Sequence, residues 1–121
     1  MELWTGGLKG LSAAQRAVLS SALNGIARLP GVYSIVLFGS YAKGTQSSGS
    51  DVDLAVFFDT GRPCLIGEFR QLTRICRNPE LDIQVQAFHA FELVDPCGII
   101  EEIVAYGIEL YCGARKEAAA R

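Results

Sequence analysis

The sequence has 121 residues, half of them hydrophobic and a fifth charged, with a formal net charge of −2. That is material for one soluble domain with a single core, and it lacks the basic surplus that marks a nucleic-acid footprint. No apolar run approaches the roughly 20 residues of a membrane span.

One domain over 1–121 is expected, with a core over about 11–112 and a tail over 113–121. Direct nucleic-acid binding is not expected. Arg70, Arg74 and Arg77 cluster at helical spacing and read as a solvated helix face. The amino end, Met1 to Gly7, shows neither the basic start nor the apolar stretch of a signal peptide, so a cytoplasmic location is the expectation. Cys64, Cys76, Cys97 and Cys112 are widely spaced and form no C-x-x-C pair. They read as reduced thiols in apolar positions rather than zinc ligands.

Leu11–Leu29 has helical periodicity: Ser12 and Gln15 stand at capping-box spacing, Leu19, Leu23 and Ile26 form a stripe, and Pro30-Gly31 closes the segment. Val32–Phe38 is a mostly apolar strand suited to the centre of a sheet. Gly39–Ser50 is a loop with room for one helical turn at Tyr41–Lys43, and Val52–Phe58 is a second strand closed by a turn at Asp59–Pro63. Leu65, Phe69, Leu72 and Cys76 mark one helical face ended by Asn78-Pro79. Leu81–Phe88 alternates, with Asp82, Gln84 and Gln86 on one side and Ile83, Val85 and Ala87 on the other. Asp95-Pro96 has the form of a helix start, Ile99, Ile100, Ile103 and Val104 its buried face, and Gly107 its end. Ile108–Tyr111 has the character of a short strand, and Ala114–Arg121 that of a frayed tail. The order helix, strand, strand, helix, strand, helix predicts an α/β fold, a small mixed sheet packed with helices.

Between the first two strands, Gly39-Ser40 is followed after ten residues by Asp51-Val52-Asp53. Glycine lets a backbone approach phosphate closely, and Ser40 offers a hydroxyl and an amide. A helical turn beginning at Tyr41 would add amides, and Lys43 could reach a phosphate as a point charge. Asp51 and Asp53 project from the same strand face, about 6.5 Å apart along a strand rising ~3.3 Å per residue. Two such carboxylates oppose each other's ionisation unless a divalent cation lies between them, and an oxygen-only set selects Mg²⁺ or Mn²⁺. Asp82 supplies a third carboxylate if its strand lies beside Val52–Phe58. Of the five aspartates, Asp59 falls in a turn and Asp95 caps a helix, which leaves these three without a structural explanation. Phosphate binding joined to a divalent metal is the chemistry of nucleotide transfer.

Other readings of the segment fail on particular residues. Gly39 and Gly44 have P-loop spacing, but Lys43 precedes the second glycine. An EF-hand starting at Asp51 would need glycine where Val56 stands and glutamate where Arg62 stands. Phospho-aspartate enzymes place their aspartates after a hydrophobic strand, whereas these lead into one. Ser40 lacks a G-x-S-x-G context, and His89, the single histidine, reads as a surface or turn residue. Asp82 is then the favoured group to help deprotonate an incoming hydroxyl.

The segment GSYAKGTQSSGSDVDLAV, Gly39 to Val56, resembles the signature of the nucleotidyltransferase superfamily, as found in minimal nucleotidyltransferases (MNT) and kanamycin nucleotidyltransferase-like proteins. LDIQV at Leu81–Val85 is similar to the later strand that carries the family's third aspartate, and IIEEIVAYGIELY at Ile99–Tyr111 to the closing helix and strand of small members. The resemblance implies a nucleotidyltransferase fold and metal-dependent transfer of a nucleoside monophosphate, AMP from ATP, with release of pyrophosphate. Gly39, Ser40 and Lys43 would then hold the triphosphate. Asp51, Asp53 and Asp82 would be the metal-binding catalytic carboxylates. It also implies that the acceptor surface comes from a partner or another copy, since larger family enzymes use a second domain for it. Small members are often antitoxins that adenylylate a tyrosine of a helical HEPN-type ribonuclease toxin. Two alternatives stand beside that expectation: a homodimeric enzyme modifying a small molecule such as an aminoglycoside, and a module that neutralises its partner by contact alone.

Overall fold

The computed structural model describes residues 10–45 and 51–113. The expectations for the amino end before Gly10, for the loop segment Gln46–Ser50 and for the tail Ala114–Arg121 lie outside the described residues. The elements run α1 (Ala13–Ala27), β1 (Val32–Phe38), α2 (Ser40–Lys43), β2 (Val52–Phe58), α3 (Ile66–Cys76), β3 (Ile83–His89), a 3₁₀ turn (Ala90–Leu93), α4 (Ile99–Tyr106) and β4 (Ile108–Cys112).

The capping box of α1 forms as its spacing predicts: the Gln15 amide donates to Ser12 Oγ at 3.1 Å, and the Ser12 amide donates to Gln15 Oε1 at 3.0 Å. Gln15 Nε2 also donates to the Glu80 carbonyl at 3.2 Å, which ties the start of α1 to the approach of β3. Replacing Ser12 with alanine leaves the Gln15 amide without its partner and should lower unfolding free energy by ~1 kcal/mol, measurable by urea titration. Leu19, Ala22, Leu23 and Ile26 are the buried residues of the helix, the stripe read from the sequence.

The sheet order is β3-β2-β1-β4. β1 pairs antiparallel with both β2 and β4, while β2 and β3 are parallel, with α3 as the crossover that parallel neighbours require. The two central strands are covered on both faces, which is why they read as continuous apolar runs. On one face α1 and α3 cover Ile35, Leu37, Leu54, Val56 and Phe58. On the other, Ile100 and Ile103 of α4 cover Val36, Phe38, Ala55 and Phe57, and Phe57 stacks on Phe88 at 5.4 Å. Among the described residues, no helix is long and apolar enough to cross a membrane.

Three local expectations need correction. The buried face of α3 is Glu68, Leu72 and Cys76, whereas Phe69 is 42% exposed at the rim of a groove beside β3. Burial pushes the Cys76 thiol up to about 11, as befits a core-filling residue. Glu68 is buried in the first turn of α3, where the helix end favours a carboxylate, and Arg62 Nη1 lies 3.6 Å from its Oε2. Second, α4 begins at Ile99 and not at Asp95: Gly98, at φ 61° and ψ −132°, breaks the helical path, so Asp95 is not a cap and the 3₁₀ turn precedes it. Third, β4 runs one residue further than expected, to Cys112; it follows directly on Gly107, which ends α4 as read from the sequence, in extended conformation. Its missing side chain has a packing reason, because a Cβ there would lie 2.5 Å from Val36 Cγ1 and overlap the Ile103 carbonyl. Gly107→Ala should therefore lift α4 from β1 and lower stability by ~1–3 kcal/mol, read from the shift in unfolding midpoint.

Candidate active site

The pairing register of the central strands assembles the site. Phe38 at the end of β1 faces Asp53 at the start of β2, so the next residue, Gly39, sits beside the Asp53 carboxylate. Gly39 adopts φ 74° and ψ −153°, a region open essentially to glycine alone. A Cβ on it would overlap Asp53 Oδ2 and lie 3.0 Å from Cγ. Gly-Ser and Asp-x-Asp are thus one packed unit.

Beyond Gly39 the chain makes the single turn α2, one residue earlier than expected, with the Lys43 amide bonded to the Gly39 carbonyl at 3.1 Å. Ser40 is half-buried at its first position, and its carbonyl accepts from the Thr45 amide at 2.9 Å. Gly44, at φ 74°, closes the turn.

Asp82 arrives from β3. The parallel register sets Val52 against Ile83 and Asp53 against Gln84, and the Val52 amide donates to the Asp82 carbonyl at 2.9 Å. Asp51 and Asp82 thereby stand side by side at the same end of the sheet. The Asp51 carboxyl is held above the ordinary aspartate range, first by the hydrogen bond it shares with the Asp82 side chain and then by the Asp82 charge. Asp53 is half-buried and also raised, first by burial and then by the charges of Asp51, Asp82 and Glu102. Asp82 Oδ1 accepts from Gln84 Nε2 at 2.8 Å.

Among the described residues, no three such side chains converge closely enough to enclose an ion as they stand. The donor chemistry nevertheless fits a hard divalent cation: all ligands are oxygen, and the mutual opposition that holds the Asp51 carboxyl up beside Asp82 is what a cation would relieve.

Lys43 lies in the site region with partners that sequence reading missed. Its Nζ is paired with Glu102 Oε1 of α4 and lies 5.2 Å from the centroid of the Tyr106 ring. The Glu102 hydrogen bond is the main reason the Lys43 ammonium is raised above its usual range. No local signal points to these partners, since the Lys43–Glu102 contact spans 59 positions. His89 lies at the opposite end of β3 from Asp82, its ring 3.2 Å from the Pro63 carbonyl and stacked on Phe91, away from the acid cluster.

The model of the nucleotidyltransferase domain family matches residues 19–110, most of the chain and both halves of the motif. The chain belongs to the nucleotidyltransferase family. Its fold is shared with a candidate nucleotidyltransferase from Sulfolobus solfataricus at TM-score 0.55 and 13% identity, over 88% of this chain and 95% of that one. Looser overlays join it to a toxin–antitoxin complex with AMP-PNP (TM-score 0.48, 24% identity, 85% of this chain and 77% of that one). Another is a tri-AMPylated Shewanella oneidensis HEPN toxin in complex with MNT antitoxin (TM-score 0.45, 19% identity, 84% and 78%). No curated protein matches the chain in sequence.

Proposed function

We propose that this nucleotidyltransferase domain moves AMP from ATP, with Mg²⁺, to a protein hydroxyl, and that the acceptor is a tyrosine of a helical HEPN-type toxin that it silences in the cytoplasm. The observation that carries the donor half is the packing of Gly39 on Asp53 beside the Asp51–Asp82 pair. The acceptor half rests on the likeness of the motif segments to small antitoxin-type members; the toxin–antitoxin overlays are too loose to add to it.

In this reading Gly39 and Ser40 hold the triphosphate against the backbone, and Lys43 adds a positive charge to it. Asp51, Asp53 and Asp82 would hold the metal, which when bound neutralises phosphate charge and stabilises the attacking and leaving oxygens. The acceptor oxygen forms a bond to the α-phosphorus as the bond to pyrophosphate breaks, in line. Asp82, exposed just before edge strand β3, orients the acceptor hydroxyl and helps take its proton.

Donor binding is tested by thermal denaturation. Mg²⁺ with ATP at about ten times Kd should stabilise the fold by ~1.4 kcal/mol and raise Tm by roughly 5 °C. No shift at millimolar nucleotide removes the donor assignment. Acceptor class is tested with α-labelled ATP. Label on the protein encoded next to this one supports the toxin reading; label on an aminoglycoside replaces it with the small-molecule reading. A catalytically dead variant that still protects cells from the partner replaces transfer by contact.

A further inference from the structure

Glu102 and Tyr106 stand four residues apart on α4, one turn of the helix, and both engage the Lys43 ammonium from the far side of the molecule's sequence. We infer that they are positioning residues for the donor triphosphate: they clamp Lys43 so that its remaining N–H bonds face the phosphates held by Gly39 and Ser40. This inference rests on the donor half of the function proposed above.

The geometry distinguishes a clamp from a sink. An ammonium has three N–H donors. Glu102 takes one, and the Tyr106 ring face attracts the cation as a whole rather than taking up a second donor. The Lys43 side chain still keeps 36% of its surface exposed, so a phosphate oxygen can reach it with Glu102 in place. Lys43 closes the turn that starts at Gly39, its amide bonded to the Gly39 carbonyl, and Gly39 packs on Asp53, which puts the pair beside the acid cluster and not on a remote surface. A free lysine gives up its rotamer freedom when it grips a ligand, whereas one already held has given it up on folding. Without Lys43, Glu102 would present an uncompensated negative charge to an anionic ligand.

The test measures calorimetric affinity of the full chain for Mg²⁺ with the non-hydrolysable analogue α,β-methylene-ATP, alongside Tm. Glu102→Gln should weaken binding about fivefold and Tyr106→Leu about threefold, both with Tm within a degree or two of wild type, since exposed ion pairs contribute little to folding. Tyr106→Phe keeps the ring and should bind as wild type does. Lys43→Ala should weaken binding about tenfold, the scale of a hydrogen bond to a charged group. Adding Glu102→Gln to Lys43→Ala should cost nothing further and should recover part of the loss, because Glu102 acts through the lysine and without it only repels the ligand. Unchanged or tighter binding in Glu102→Gln, an additive loss in the double variant, or a loss of affinity that tracks a fall in Tm overturns the clamp while leaving the donor site standing. Failure of the wild-type chain to bind the analogue overturns both.

Discussion

Converting Asp51 and Asp53 together to asparagine abolishes nucleotide transfer and leaves a chain no less stable than the wild type. The loss of activity should be on the order of 10³-fold or more, because a bound divalent ion contributes several kcal/mol of transition-state stabilisation and each ~1.4 kcal/mol is tenfold in rate. The stability half follows from the electrostatics of the empty cluster. Both carboxyls are raised in the folded chain, Asp51 by its hydrogen bond and charge contact with Asp82, Asp53 by burial and its acidic neighbours. A raised carboxyl means the native state holds the proton more tightly than the unfolded state. Stability therefore falls as pH rises from the ordinary aspartate range through the raised folded values, and at neutral pH the whole cost is present. Asparagine removes the charge and the cost together. In EDTA, wild-type Tm should rise as pH is lowered from neutral through the raised folded values toward the ordinary aspartate range, and the difference between wild type and the double variant should shrink over that range. A variant that melts well below wild type, or a difference that widens on acidification, contradicts this account of the cluster.

Gly39→Ala is expected to be the most damaging single substitution in the motif. Its φ of 74° with ψ −153° is a strained region for any other residue, at ~1–3 kcal/mol. The added methyl would also meet the Asp53 carboxylate, with Cγ 3.0 Å away, and overpacking of this kind costs a further ~1–3 kcal/mol. Urea unfolding should show a loss of ~2–5 kcal/mol, and transfer should be undetectable because Asp53 is displaced. Shortening the obstacle separates the two causes. Asp53→Ala in the Gly39→Ala background should recover the steric part of the stability but none of the activity, and the non-additivity reports the contact directly. Full additivity of the two substitutions would mean that Gly39 and Asp53 do not touch.

The central strands were legible because they are sandwiched. Val32–Phe38 and Val52–Phe58 are apolar on both faces, so their bounds coincide with the ends of the hydrophobic runs. Asp82 was legible through alternation: Ile83 and Val85 are buried on edge strand β3 while Gln84 and Gln86 are exposed, which turns the strand's polar side outward beside β2. Asp95 was misread because a residue-by-residue cap signal took no account of Gly98, whose positive φ severs the cap from the helix. Phe69 departs from the reading because hydrophobic spacing took no account of Glu68, which the docking of α3 buries in line with Leu72 and Cys76. Spacing pointed to Gly39 and Asp53 as members of one motif; their direct packing is a product of the β1–β2 register. Glu102 and Tyr106 carry no local mark at all, because only the docking of α4 onto β1 brings them to Lys43.

The most direct measurement of the central claim is incorporation of α-labelled ATP, with pyrophosphate release followed in parallel, when the chain is mixed with Mg²⁺ and the protein encoded beside it. Label should pass to a tyrosine of that partner in equal amount to pyrophosphate released, and both should vanish in Asp51→Asn/Asp53→Asn and on addition of EDTA. Label transfer that survives the double substitution, or a partner neutralised with neither label nor pyrophosphate appearing, would contradict catalysis by this cluster.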